Sequence, residues 1–256
     1  MKILIYSDLH LEFKHGWTFP DDVTGDLLIL AGDIITFGDY SPLEKLLKNW
    51  SKPVLYVAGN HEYYTQTPMD QETQDFKVWL SETLPQVTLL MDEHISISGV
   101  NFFGGTMWTD FGCQNPLAMD HARRNMNDFR LIRNSERQIF TPQDTISLHQ
   151  NFIDGLIAWF KQEMTGPRIV ISHHAPVINP NTQYRDSPLQ PAFNSLDMIE
   201  IIEEHQPDFW IYGHTHECDD QTIGRTRIIS NQLGYPNGLG GFECLNFDRN
   251  GKVIEA

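Results

Sequence analysis

The sequence predicts an α/β protein built on two packed β-sheets, and three observations carry that prediction. Five short apolar runs lack polar alternation, which marks strands buried on both faces. Helical periodicity falls between them, so strand, helix and strand follow one another as in parallel βαβ units. Residues 87–107 and the tail after residue 227 are strand-rich without such helices. They point to a second, more antiparallel sheet packed on the first.

The first strand is Ile3-Leu4-Ile5-Tyr6, which runs into Asp8 and His10. The second is Leu27-Leu28-Ile29-Leu30, which runs into Asp33. A helix follows, with Ser41 as N-cap, Pro42 at the first helical position and Glu44 completing a capping box. Leu43, Leu46, Leu47 and Trp50 supply its period, and Pro53 lies just beyond its end. Val54-Leu55-Tyr56-Val57 is the third strand and leads to Asn60 and His61. Val87–Met91, Ile95–Ser98 and Asn101–Phe103 come next, with Gly99 as a turn. The segment from His121 to Arg130 shows no apolar period before Leu131-Ile132 and reads as a loop, while Trp108 after Gly104-Gly105-Thr106 reads as core, with base stacking as the alternative. A helix beginning at Thr141-Pro142 carries Ile146, Ile153, Leu156, Ile157 and Phe160 on one face. Ile169-Val170-Ile171 enters His173-His174. A helix from about Phe193 to His205 precedes Phe209-Trp210-Ile211-Tyr212, which enters His214 and His216. Arg227–Ser230, Phe242–Phe247 and Lys252–Glu255 close the chain as strands. No repeat or linker interrupts it, so residues 1–256 read as one domain.

In such sheets ligands bind outside the carboxyl ends of the strands. Five strand ends meeting there would collect Asp8, His10, Asp33, Asn60, His173, His214 and His216. Singly these residues are ordinary, since an Asp after a strand commonly forms a turn and a lone His commonly packs. His15, His94, His121, His149 and His205 are read in that plain way. Asp-x-His, Gly-Asp, Gly-Asn-His-Glu, Ser-His-His and Gly-His-x-His in series is a different matter, because each falls at a strand end. Mixed imidazole and carboxylate donors suit Mn, Fe, Zn, Co or Ni, and the lack of cysteine donors argues against a closed thiolate zinc site. Two-metal hydrolysis needs ions about 3.5–4 Å apart, and hence one carboxylate between them.

Asp8-Leu9-His10, Gly32-Asp33, Gly59-Asn60-His61-Glu62, His173-His174-Ala175-Pro176 and Gly213-His214-Thr215-His216 together resemble the calcineurin-like metallophosphoesterase superfamily. The resemblance implies a four-layer fold, two mixed sheets with helices outside. It also implies two divalent or mixed-valence transition-metal ions, Mn2+ favoured. Asp8, His10 and His216 would hold one ion, Asn60, His173 and His214 the other, and Asp33 would bridge. His173 is chosen over His174 because the family's ligand is usually the first histidine of such a pair. His61 would be the catalytic, non-ligand histidine facing substrate, Asn60 would also neutralise phosphoryl charge, and Glu62 and Asp39 could orient ligand histidines. Ser230-Asn231-Gln232-Leu233-Gly234-Tyr235-Pro236 resembles a turn of many small superfamily members and is expected to support the loop of His214 and His216.

The chain departs from the resembled protein Ser/Thr phosphatases in two places. It lacks an arginine shortly after Gly32-Asp33, and Ala58 stands where another is expected before Gly59. A bidentate arginine is the natural clamp for a dianionic monoester. The expected reaction is therefore hydrolysis of a small phosphodiester by attack of a metal-bridging hydroxide. The alternatives are a phosphomonoesterase or nucleotide phosphatase on the same site, and a non-catalytic scaffold. Arg123, Arg124 and Arg130 belong to an arginine-rich stretch that could draw phosphate esters to the site. A plain reading of the same stretch pairs them with Asp120, Asp128 and Glu136 at the surface.

The chain has 256 residues, with 18 Lys+Arg against 34 Asp+Glu and a net charge of −16. Such an acidic surface disfavours polynucleotide and anionic-membrane partners and leaves a small phosphate ester as the expected one. The three cysteines, Cys113, Cys218 and Cys244, have no CxxC spacing, and no apolar run approaches the roughly 20 residues of a membrane span. The expected compartment is the cytoplasm.

Overall fold

The computed structural model describes residues 1–238 and 240–256, and the strands among them form two mixed sheets. The first sheet contains β1 (Lys2–Tyr6), β2 (Leu27–Ala31), β3 (Val54–Val57) and β4 (Val87–Leu90), all parallel and in that spatial order. The second has a parallel centre, β6 (Val100–Gly105), β7 (Arg168–Ser172), β8 (Phe209–Tyr212) and β10 (Thr226–Ser230). Its antiparallel edges are β5 (Glu93–Ile97) on β6 and β9 (Asp219–Ile223) on β10. The last strand, β11 (Lys252–Glu255), returns to the first sheet, antiparallel to β1.

Strand periodicity sorts the core into layers, because successive side chains point to opposite faces. Ile3, Ile5, Leu27, Ile29, Leu55 and Val57 of the first sheet meet Phe102, Ile169, Ile171, Ile211 and Ile229 of the second. The alternate residues of the first sheet, Leu4, Tyr6, Leu28, Leu30, Val54 and Tyr56, face its helices. Those of the second, Phe103, Val170, Trp210, Tyr212 and Ile228, pack with the helix Pro142–Phe160 and the helix Met198–His205. Three apolar interfaces between four layers account for strands that read as continuous apolar runs.

Several sequence expectations are corrected. The strands leading to the candidate ligands divide between the sheets, with β7 and β8 in the second, whereas β4 completes the first. Phe242–Phe247 forms no strand beyond an isolated bridge from Phe242 to Pro236. The helix at Ser41–Leu47 has no side-chain cap from Ser41; the Asp39 carboxylate accepts from the Ser41 amide instead. Helices at Met69–Thr83 and Pro116–Asn125 stand where no helix was expected, the second replacing the supposed arginine-rich loop. In the helix Pro142–Phe160 the Thr141–Asp144 capping box forms. The buried face there runs through His149, Phe152 and Trp159 rather than Ile153 and Ile157. Cys218 and Cys244, distant in sequence, bring their sulfurs within 3.2 Å as free thiols. No described helix is long and apolar enough to cross a membrane.

Candidate metal centre

The carboxyl ends of β1, β2 and β3 meet those of β7 and β8 where the two sheets touch. Main-chain bonds continue past the strands and stitch these loops together. Asp8 N–H donates to the Gly32 carbonyl (3.0 Å), His10 N–H to the Asp33 carbonyl (2.9 Å) and Gly213 N–H to the His173 carbonyl (2.9 Å). Ser7 pairs with the segment after β10, its amide donating to Asn231 (3.0 Å). Gly59 and Gly213 have no substitute here, because a Cβ on Gly59 would strike the Asp33 carboxylate and one on Gly213 the Ser7 hydroxyl.

This stitching brings all seven expected ligand residues together in two clusters that share Asp33. One holds Asp8, His10, Asp33 and His216, and the other holds Asp33, His173 and His214. Asn60 joins the second cluster, its Oδ1 3.1 Å from both His173 Nε2 and His214 Nδ1. His174 points elsewhere, its Nδ1 3.2 Å from the Thr106 carbonyl.

The hydrogen bonds around these rings make a cation the fitting occupant. His10 Nδ1 faces Glu12 at 3.0 Å, and His216 Nδ1 faces the Glu243 carboxylate, so in the neutral rings both Nδ1 atoms carry the hydrogen. The two Nε2 lone pairs then confront each other at 3.1 Å. His173 repeats the pattern. Its Nδ1 donates to the Ala31 carbonyl (3.0 Å), which leaves Nε2 as an acceptor beside Asn60 Oδ1 and 3.3 Å from Asp33 Oδ1. Acceptors crowded onto acceptors need a proton or a metal ion between them. Without metal, protons take that place. Burial opposes charge on His216, but Asp8 and Glu243 overcome it and push the imidazole up to about 10. Burial likewise opposes charge on His173, and Asp33 pushes it up to about 9. An all-nitrogen and oxygen donor set of this kind suits Mn, Fe, Zn, Co or Ni.

Side chains around the clusters hold them in place. The buried Glu62 carboxylate accepts from the amides of Asp33 (2.9 Å), Ile34 (2.8 Å) and Gly59 (2.7 Å), tying the β2 and β3 loops together. It therefore fixes backbone and orients no histidine, and Asp39 lies away from the histidines on Ser41. Gln232 Oε1 accepts from the His216 amide (2.5 Å) while its Nε2 donates to Thr215 (3.0 Å), so the segment after β10 does support that loop. Sequence reasoning missed Glu12, Tyr64, Asp128 and Glu243. Asp128 Oδ1 accepts from Asn60 Nδ2 at 2.9 Å and from the Tyr64 hydroxyl.

A cavity of about 400 Å³ opens from both clusters. Asp33, Asn60, His214 and His216 reach it, and so do Tyr64, Asp128 and Tyr235. His61 does not line it, contrary to the expectation that it faces substrate; Tyr64 and Tyr235 pack on its ring with centroids 4.2 and 5.5 Å away. Arg123, Arg124 and Arg130 are also absent from its lining. Arg123 and Arg124 pair with Asp120 at the surface, and Arg130 donates to the Arg124 carbonyl. Trp108 is core, packed on Phe140 and His174.

A family model described as calcineurin-like phosphoesterase matches residues 1–218. The chain belongs to that family. As a calcineurin-like phosphoesterase it is by class a metal-dependent phosphoester hydrolase, and its two clusters are built of the residue types that hold such metals. An uncharacterized protein of Acanthamoeba polyphaga mimivirus is 29% identical over 278 residues, covering 94% of each chain. A UPF0046 protein of Caenorhabditis elegans is 29% identical over 227 residues, covering 85% of this chain and 64% of its own length. The crystal structure of phosphopantetheinyl hydrolase from Mycobacterium tuberculosis superposes with a TM-score of 0.69 at 18% identity, over 92% of this chain and 90% of that one. TT1561 of Thermus thermophilus superposes with a TM-score of 0.57 at 13% identity, over 90% and 88%. At these identities the likeness is one of fold.

Proposed function

We propose that this calcineurin-like phosphoesterase hydrolyses a small phosphodiester, with Asp8, His10 and His216 holding one metal ion, Asn60, His173 and His214 a second, and Asp33 bridging. Manganese is the favoured metal. One observation carries the choice of diester: no Lys or Arg is among the described residues lining the cavity, whereas Asp128, Glu217 and Glu243 are. A monoester brings two negative charges and calls for a cationic side chain; a diester brings one. Bound at these clusters, the ions would supply Lewis acidity toward the phosphoryl oxygens and an activated water as nucleophile.

The chain's own residues do the rest. Asn60 holds its Oδ1 toward His173 and His214 because its Nδ2 is committed to Asp128 (2.9 Å) and to the Tyr64 hydroxyl oxygen (3.0 Å). His61 is the proton source for the departing oxygen. Its Nδ1 lies 3.1 Å from Glu12 and its amide donates to Asp33 Oδ1 (2.9 Å), which fixes the ring. The cavity wall of Asn125, Asn127, Asn179 and Asn194 offers uncharged donors and acceptors to the substrate's organic portion. Turnover of bis-p-nitrophenyl phosphate against p-nitrophenyl phosphate by the Mn-loaded protein tests the proposal. A higher kcat/KM for the diester is expected. A tenfold preference for the monoester would overturn the diester reading, and no turnover of either would overturn the hydrolase reading.

A further inference from the structure

We infer that the Tyr235 hydroxyl, rather than the His61 imidazole, is the group that touches the departing oxygen, with His61 behind it as the proton's source. The inference rests on the phosphoester-hydrolase reading above and deepens it. Both ring nitrogens of His61 are already engaged. Nδ1 meets Glu12 Oε1 at 3.1 Å, the same oxygen that holds His10 Nδ1 at 3.0 Å. Nε2 meets the Tyr235 hydroxyl at 2.7 Å. His61 is buried, with 6% of its surface exposed, and Tyr235 is the side chain bonded to it that lines the cavity.

Tyr235 is not placed to swing aside. Its ring packs on His10 and His216 with centroids 4.5 Å from each, and on Phe13 at 5.5 Å. Its amide donates to the Glu243 carboxylate (3.1 Å), and the Gly234 amide before it donates to the Asp8 carbonyl (3.1 Å). Gly234 turns the chain there at φ +76°, a conformation that L side chains rarely adopt. The other hydroxyl on the His61 ring, that of Tyr64, is spent as a donor to Asp128. Among the described residues, Tyr235 is thus the one whose hydroxyl bonds to His61 and which also reaches the cavity.

The step balances as follows. As the bond from phosphorus to the leaving oxygen breaks, its electron pair stays on that oxygen, which takes the Tyr235 proton and departs as an alcohol. The Tyr235 oxygen takes the proton of the His61 imidazolium Nε2 in the same event. His61 ends neutral, with Nδ1 keeping its hydrogen and donating it in a hydrogen bond to Glu12, and water returns a proton to Nε2 before the next turnover. Tyrosinate never accumulates, so the weak acidity of a buried phenol is no obstacle.

The test compares wild type, Tyr235→Phe, His61→Ala and the double variant. Each is loaded with Mn and assayed on whichever ester class, mono or di, the wild type hydrolyses. Each variant is given p-nitrophenol and glycerol as leaving groups. Tyr235→Phe is expected to lower kcat for the glycerol ester about 10²–10⁴-fold, while the p-nitrophenyl ester, which hardly needs a proton, loses less than about tenfold. The double variant should be no slower than the slower single, because both groups handle one proton. In metal-free protein, 15N spectra should show one imidazole Nε2 resonance displaced by Tyr235→Phe, with elemental analysis still giving two ions per chain after loading. Unchanged kcat with only a raised KM would reduce Tyr235 to cavity lining and overturn the inference, as would losses that multiply in the double variant. A wild type that prefers monoesters sinks the diester reading and leaves this comparison decisive on monoesters. A wild type inactive on every ester sinks both.

Discussion

Asp128 offers a sharp test of the second cluster, because a single carboxylate oxygen there sets the orientation of a candidate ligand. Its Oδ1 accepts from Asn60 Nδ2 at 2.9 Å and from the Tyr64 hydroxyl. Replacing Asp128 with Ala strands the Tyr64 hydroxyl and leaves Asn60 Nδ2 with the Tyr64 oxygen (3.0 Å) as its partner. A buried unpaired donor would cost roughly 1–3 kcal/mol. All three residues line the cavity, where water can replace part of the loss, so the expected destabilisation is about 1–3 kcal/mol in total. The larger consequence is for metal binding. With Asp128 gone, the Asn60 amide is held less firmly with its Oδ1 toward His173 Nε2 and His214 Nδ1, each now 3.1 Å away. A metal ion must then re-order that amide in order to bind. Losing such an outer partner typically weakens metal affinity 10–100-fold, or about 1.4–2.7 kcal/mol. Asp8, His10 and His216 do not touch Asp128, so one of two ions should weaken and the other should not. Titration of metal-free Asp128→Ala against a chromophoric chelator, followed by thermal unfolding, measures both effects. Asp128→Asn keeps an acceptor and should fall between. Two ions bound to Asp128→Ala at wild-type affinity would refute the assignment of Asn60 as a ligand oriented from Asp128.

Asp33→Asn removes the carboxylate common to both clusters and should impair both ions together; elemental analysis finding two tightly held ions in the variant would sink its bridging role. Asp92 is pushed up to about 6 by burial and by the Glu93 charge, so its neutral form is the one the fold prefers. The stability it contributes is whole below its unfolded value, about 3.9, and is lost as pH rises through about 6. Asp92→Asn, which also tolerates the positive φ of 56° there, should gain about 1–3 kcal/mol on wild type at pH 8 and almost nothing at pH 4. Urea unfolding at the two pH values checks this, and a gain equal at both would refute it. Arg123→Ala and Arg124→Ala each break an exposed pair with Asp120, so stability should fall by less than about 1 kcal/mol with KM unchanged even at low salt. A KM raised at low salt and restored at high salt would return the arginines to the substrate's path.

The candidate ligands were legible because their spacing relative to the strands is local. An apolar run followed closely by Asp, Asn or His is visible without knowing the partner strand. The sheet to which a strand belongs is not local. Runs such as Leu27–Leu30 and Ile169–Ile171 are equally apolar because both sheets are covered on both faces, so nothing in them separates β2 from β7. Two helices escaped for different reasons. Met69–Thr83 buries only Glu72, Phe76 and Leu80, a stripe one residue wide at four-residue spacing. Pro116–Asn125 buries Ala118 and Ala122, which give little apolar signal. Yet Asn115, Pro116 and the four-residue spacing of those alanines were a readable start. Asp128 and Glu243 reach the site from elsewhere in the chain, and no pattern marks a carboxylate that bonds Asn60 or His216 from far away in sequence. Glu12 was the nearest to legible, since it extends Asp8-x-His10 by one more alternate residue.

The backbone at the site explains why these particular residue types stand there. Asp8, His10, Asp33, His214 and His216 have φ of 52°, 45°, 54°, 73° and 52°, all in the left-handed region. Each strand end must turn abruptly to aim its side chain back between the sheets rather than outward along the strand. For L residues that conformation costs of order 1–2 kcal/mol apiece, least for short polar side chains that bond their own surroundings. Two of these positions, His10 and His216, also crowd acceptor against acceptor when no cation lies between them. Local strain and unbalanced charge thus coincide at those two candidate ligands. The chain tolerates them because Glu62, Gln232 and the ladder from Ser7 to Asn231 hold the loops independently of any ion.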